Sequence, residues 1–193
     1  MRAGIAGALD RRRRLELSQV VMRRRVVPAH PGCWVTCYTD ASFTPKGAGW
    51  GVWLRSSRGR VVHRGVCPEY VADSLDAEIA AIFAGLFLAR RAWGDAVRGI
   101  VVRTDCRNAI SFLEPEPLRP RVLRTRPGTV RLREKIHGLA DQHGIALEFK
   151  WVKGHQSSDT VPAFLNRTCD RLAGEASHRA PRLGAPIAPE RLL

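Results

Sequence analysis

Long hydrophobic runs are missing from this sequence. No stretch of 18 consecutive apolar residues occurs, and the N-terminus has no uninterrupted apolar segment, so neither a membrane span nor a secretory signal is expected. Cysteine is scarce as well: five residues, an odd number without a CxxC pair, exclude a disulfide framework and a zinc ribbon and fit a reducing, cytoplasmic setting. Cys33 and Cys37 cannot share one ion if they lie on a strand, because four extended residues separate them by roughly 13 Å. Acidic residues are a minority, 18 against 32 Lys and Arg, and the resulting formal charge of +14 favours a polyanionic partner, with nucleic acid first. Lysine is nearly absent, with only Lys46, Lys135, Lys150 and Lys153, so that charge is carried almost wholly by arginine. Internal repeats are lacking, which excludes solenoid architectures.

What remains is enough chain for one core: 193 residues, 45% of them hydrophobic. Residues 1–32 read as a basic N-terminal extension expected to be flexible, with Arg11 to Arg14 and Arg23 to Arg25 as its charge runs. Its arginines are compatible with an organelle transit peptide, but Asp10, Glu16 and a single serine argue against one. Residues 33–178 read as the domain and 179–193 as a tail. Within the domain, Cys33 to Tyr38, Gly47 to Leu54 and Arg60 to Cys67 predict a three-stranded meander. Ser74 to Arg91 repeats apolar residues near the helical period, with Ser74 as the expected N-cap. Gly99 to Thr104 reads as a buried strand, Cys106 to Leu113 as a helix, and residues 114–129, with four prolines and four arginines, as an irregular cationic loop. A helix from Val130 to His143, a strand from Ile145 to Val152 and a helix from Phe164 to His178 complete a mixed sheet with helices on its faces. The tryptophans Trp50, Trp53, Trp93 and Trp151 are expected to pack against core or sheet.

Four acids stand out by their settings. Asp40 lies in Tyr38-Thr39-Asp40-Ala41-Ser42, Glu78 in Ala77-Glu78-Ile79-Ala80-Ala81, Asp105 in Arg103-Thr104-Asp105-Cys106, and Asp170 in Asn166-Arg167-Thr168-Cys169-Asp170-Arg171-Leu172-Ala173. Asp40 and Asp105 sit where strands are expected to finish, the edge of an α/β sheet at which functional groups gather. Glu78, early on the long helix, can point along the sheet toward them, whereas Asp76, about 200° around the helix, should point elsewhere. Asp170 is expected in the first turn of the last helix. Converging carboxylates in a strongly basic chain suit hard divalent cations acting on a phosphodiester.

These settings, in this order and together with Trp151-Val152-Lys153-Gly154-His155, closely resemble the type 1 ribonuclease H family over roughly residues 34–177. The resemblance implies a ribonuclease H-like fold: a mixed five-stranded sheet, three antiparallel strands followed by parallel ones, with helices on both faces. It implies two Mg²⁺ ions, or Mn²⁺ in their place, held by Asp40, Glu78, Asp105 and Asp170 about a scissile phosphate. The implied reaction is endonucleolytic hydrolysis of the RNA strand of an RNA·DNA hybrid to 5′-phosphate and 3′-hydroxyl ends. His155 matches the family histidine that assists proton transfer or product release. Ser42 and Asn166 match polar residues near the substrate backbone, and Arg121 and Arg124, in the proline-broken loop, stand where relatives carry a basic hybrid-gripping protrusion. Many members place Asn or Gln just ahead of the helix glutamate, where this chain has Asp73-Ser74-Leu75-Asp76. The protein is expected to act as a monomer on hybrid and not at a membrane. The competing expectation is a non-catalytic or differently specific nucleic-acid-binding protein on the same fold, and four clustered negative charges facing phosphate argue against it.

Overall fold

The computed structural model describes residues 32–154 and 160–179. The expectations placed on residues 1–31, on His155 and on residues 180–193 lie outside them. Strands β1 (Cys33–Thr44), β2 (Gly47–Ser56) and β3 (Gly59–Val66) form the antiparallel meander, and β4 (Val97–Thr104) and β5 (Ala146–Trp151) continue the sheet in parallel, in the order β3-β2-β1-β4-β5. This is the mixed five-stranded sheet that the sequence predicts. Helices α1 (Ser74–Trp93), α2 (Arg107–Leu113), α3 (Pro120–Thr125), α4 (Pro127–His143) and α5 (Val161–Ser177) surround it.

The two faces follow from strand alternation. Val35 and Cys37 of β1 join the main core with Ile79, Ile82 and Leu86 of α1 and Leu132 and Ile136 of α4. Tyr38, one step out of phase, joins a second cluster with Leu165 and Cys169 of α5 and Val152. Helix α1 is capped by Asp73, not by Ser74: the Asp73 carboxylate accepts from the Asp76 N–H, and a carboxylate at the N-cap satisfies an otherwise orphan donor. The helix stops at Gly94, whose N–H still reaches the Arg90 carbonyl while its positive φ of 56° turns the following chain out of the helix.

Three further expectations are corrected. Residues 114–129 are not irregular throughout: Pro120 opens α3 and Pro127 opens α4, because a proline at the first helical position gives up an N–H that would have no partner there. Arg133 of α4 donates from Nη2 to the carbonyls of Glu114 (2.5 Å) and Glu116 (2.8 Å), tying down the stretch between. Helix α5 starts at Val161, which puts Asp170 more than two turns inside it rather than in its first turn. Asp40 does not end β1, which runs on to Thr44 against β2. Its pairing with β4, however, stops at Tyr38 and Arg103, so Asp40 still lies just beyond the parallel part of the sheet.

Two close approaches set the helices on the sheet. A Cβ at Gly51 of β2 would collide with the Cys169 carbonyl oxygen, and one at Gly49 with the backbone of Ser177, so α5 lies directly on bare strand backbone. On the other face Gly85 of α1 rests on the Cys37 sulfur. Gly51→Ala is therefore expected to force α5 outward and destabilise the protein by about 1–3 kcal/mol. The solvent-facing Gly138→Ala in α4, where a Cβ meets nothing, should be neutral or stabilising by up to about 1 kcal/mol. Urea midpoints of the two variants against wild type check both; equal midpoints for Gly51→Ala and wild type would contradict the close-contact argument.

Candidate metal centre

Asp40, Glu78 and Asp105 converge beyond the end of the parallel strands, each offering a carboxylate oxygen within 4.8 Å of the other two. Each arrives by a different route. Asp40 comes from the protruding part of β1, and its Oδ1 accepts the Ala41 N–H at 2.8 Å. Glu78 comes from the first turns of α1, on the face that carries Ile79 and Ile82 into the core. Asp105 follows the last residue of β4, where the buried Thr104 hydroxyl accepts the Cys106 N–H at 3.1 Å and shapes the turn. A threonine before the aspartate thus has a structural use at this strand end.

Asp105 is held on three sides. Asn166 of α5, itself buried, donates from Nδ2 to Asp105 Oδ2 at 3.1 Å. The Trp151 indole N–H donates to the Asp105 carbonyl at 3.0 Å. Gly154 packs so closely on the Asp105 carboxylate that any side chain there would strike it. That contact supplies a steric reason for the glycine in Trp151-Val152-Lys153-Gly154.

Asp170 stays outside the 4.8 Å group and is exposed on α5, yet its charge adds to the field on Asp40. Burial first, and then the charges of Asp105 and Asp170, push the Asp40 carboxyl from its ordinary 3.8 up to about 8. Burial, with Asp40 and Asp105 next, raises Glu78 well above the usual carboxylate range. Glu78 Oε2 is buried, and no donor among the described residues reaches it. An all-oxygen set with a surplus of negative charge and an orphaned buried carboxylate oxygen is what a hard divalent cation would complete, so the residues fit such an ion.

The remaining sequence-predicted residues are placed as follows. Asn166 has its amide N–H engaged with Asp105, leaving Oδ1 without a partner. Ser42 lies on β1 with its Oγ 3.2 Å from that of Ser177. Arg121 lines a separate cavity of about 760 Å³ between the segment before α1 and the start of α4, and Arg124 is exposed on α3. Asp76 points away from the centre, as expected: Thr129 donates to its Oδ1, Ala72 N donates to its Oδ2, and Arg126 bridges it and Asp73. Against the upward push of burial, the Asp76 N–H and the Arg126 guanidinium hold Asp73 below its ordinary value.

Sequence reasoning missed Trp151 and Arg107. Trp50, Trp53 and Trp93 pack against the cores as expected, but Trp151 is 43% exposed at the mouth of the site, with the Arg107 guanidinium 3.9 Å from its ring centroid. The signals for the indole were its place at the end of a strand and its position in the Trp151-Val152-Lys153-Gly154-His155 segment, neither of which says that the ring is exposed. Cys67 and Cys106 also escaped notice; the nearby Glu78 charge contributes to raising both thiols, after burial.

Because the raised Asp40 pKa lies near 8, the folded protein between about pH 4 and 8 keeps a proton that the unfolded chain has released. The associated stability is present below about pH 4 and lost as pH rises through 8. In EDTA, the melting temperature is expected to fall between pH 5 and pH 8, and Asp40→Asn should flatten that fall. A divalent cation at a hundred times its dissociation constant should stabilise wild type by about 2.7 kcal/mol, and Asp105→Asn should lose most of this. Calorimetry with and without metal checks both, and an equal metal response in Asp105→Asn and wild type would contradict a shared site.

The RNase H family model matches residues 33–178. Among curated proteins, none matches the chain. Among solved structures, RNase H1 from the halophilic archaeon Halobacterium salinarum NRC-1 is similar at 22% identity, with a TM-score of 0.57 over 76% of this chain and 99% of the other. The N-terminal RNase H domain of rv2228c from Mycobacterium tuberculosis shares 19% identity, with a TM-score of 0.54 over 75% and 98%. LC11-RNase H1, solved in complex with an RNA/DNA hybrid, shares 17% identity, with a TM-score of 0.56 over 75% and 97%. At these identities the solved structures speak to the fold, which they share with this sheet and its helices. On the match over residues 33–178, the chain belongs to the RNase H family.

Proposed function

We propose that the protein is a metal-dependent endonuclease that hydrolyses the RNA strand of RNA·DNA hybrids, leaving 5′-phosphate and 3′-hydroxyl ends. The observation that carries this reading is the convergence of Asp40, Glu78 and Asp105 within 4.8 Å, with an orphaned Glu78 oxygen among them. Family membership and the hybrid bound by LC11-RNase H1 support the choice of substrate. Residues 33–178 form the catalytic unit, acting as a monomer in the cytoplasm.

In this reading Asp40, Glu78, Asp105 and Asp170 would hold two Mg²⁺ ions, or Mn²⁺. Bound divalent cations would supply a water nucleophile at neutral pH and charge neutralisation at the leaving 3′ oxygen. The chain's own groups set the geometry for that chemistry. Buried and mutually repelling, Asp40 and Glu78 hold protons more strongly than ordinary carboxyls, and a bound cation would favour their ionised forms. Asn166 fixes the rotamer of Asp105 through the hydrogen bond to Oδ2 and is a positioning residue. Water adds hydroxyl to phosphorus, the P–O3′ bond breaks, and the 3′ oxygen takes a proton; His155 is the residue assigned to that proton transfer or to product release. Ser42, Arg121 and Arg124 are proposed as backbone contacts, with recognition resting on groove shape and 2′-hydroxyls rather than on base edges. Little sequence preference follows.

The test is cleavage of an end-labelled RNA·DNA hybrid with Mg²⁺, with EDTA, and by Asp40→Asn, beside single-stranded RNA, double-stranded RNA and duplex DNA. Metal-dependent cutting confined to the hybrid's RNA strand is expected, reduced at least about 10²-fold in Asp40→Asn. Asn166→Ala should lower kcat by about 10- to 100-fold. A wild-type protein that leaves hybrid intact in Mg²⁺ and Mn²⁺ overturns the reading.

A further inference from the structure

Trp151 pairs with Thr104 at the last rung of the parallel β4–β5 ladder, so its indole stands beside the turn that carries Asp105. Its N–H is committed to the Asp105 carbonyl, which fixes one edge of the ring, and the ring is 43% exposed. On it lies the guanidinium of Arg107, 3.9 Å from the centroid. Arg107 is itself exposed at the first position of α2. Its Cα is two peptide units from that of Asp105, no more than about 7.6 Å away.

None of the ion pairs among the described residues includes Arg107, although acids cluster two residues away. A guanidinium resting over an aromatic ring does not spend its N–H donors on that contact, and its planar fork can meet phosphate oxygens in pairs. The stack also restricts a long side chain before any ligand arrives, which lowers the entropy lost on binding.

We propose that Arg107, presented on the Trp151 indole, binds a backbone phosphate of the nucleic-acid strand beside the scissile one, with Trp151 as its positioning residue. The proposal rests on the nuclease reading above. Arg107 thereby supplies positive charge to the substrate at the mouth of a site whose own groups are negative. It acts on binding and register, so its loss should show in KM and not in kcat.

The experiment compares wild type, Arg107→Ala, Arg107→Lys and Arg60→Ala, the last removing an equal charge from exposed β3 on the far edge of the sheet. Steady-state cleavage of hybrid in Mg²⁺ is paired with hybrid binding by fluorescence anisotropy in an Asp40→Asn background, both over a KCl series. Arg107→Ala is expected to raise KM several-fold with kcat near wild type and to make the log–log salt dependence of binding shallower by about one. Arg107→Lys should restore the slope while KM stays intermediate, because a lysine keeps the charge without the planar fork. Arg60→Ala should match wild type. If wild type cuts hybrid but Arg107→Ala keeps its KM and salt slope, or Arg60→Ala shifts them as much, the inference falls and the nuclease reading stands. If wild type is inert, the nuclease reading falls, and the anisotropy series still decides whether Arg107 contacts phosphate: an unchanged slope, or no binding at all, overturns it. A melting-temperature drop in Arg107→Ala with unchanged KM and slope would mean that the stack is surface packing alone, and would likewise overturn it.

Discussion

Mutual repulsion of carboxylates is the constraint around which this molecule is arranged. Two full charges 4–5 Å apart repel by roughly 3–4 kcal/mol at an effective dielectric near 20, and Asp40, Glu78 and Asp105 place oxygens from three acids within 4.8 Å. Burial adds to the cost for Asp40 and Glu78, which is why both are pushed so far upward. Such a cluster persists only if the elements carrying the acids are anchored elsewhere. Here the anchors are the main core beneath α1 and the second cluster beneath α5, on opposite faces of one sheet.

Close backbone contact converts those anchors into precise placement. Bare backbone at Gly49 and Gly51 lets α5 settle on β2, and that same helix brings Asn166 to Asp105 and the Asp170 charge to bear on Asp40. Gly85 does the equivalent for α1 and so for Glu78, while Gly154 clears space for the Asp105 carboxylate. The carboxylate N-cap at Asp73 and the buried link from Asp76 to Thr129 fix the first turn of α1, just ahead of Glu78. Packing, capping and site geometry are therefore one system, in which chemistry at the sheet end depends on contacts made several turns away.

Much of this was legible beforehand. Alternation and helical period located all five strands and the long helices, because burying one face of an element imposes a period that a single sequence displays. Misplacements arose where local signals compete. Prolines at 120 and 127 read as breakers but serve as helix openers, and Asp73, not Ser74, takes the cap because either side chain could have done so. Asp40 read as a strand end because it closes a run rich in Val, Thr and aromatic residues; pairing with β4 does stop just before it, at Tyr38, but β2 continues alongside to Thr44. The exposed Trp151 read as a packing residue because most tryptophans at strand positions are one.

By itself the sequence determined the chemical inventory and its order along the chain: two Thr-Asp pairs at strand positions, a glutamate early on a long helix, an aspartate on the last helix, and a basic remainder suited to phosphate. These follow from residue identity and short-range spacing. Tertiary structure alone decided which oxygens meet, that Asn166 spends its N–H on Asp105, and that Arg107 lies on Trp151. The partners in those contacts are separated by tens of residues, a distance over which neither period nor propensity carries information. Only the register of β1 on β4 and β4 on β5, and the depth to which glycines let the helices approach, bring them together.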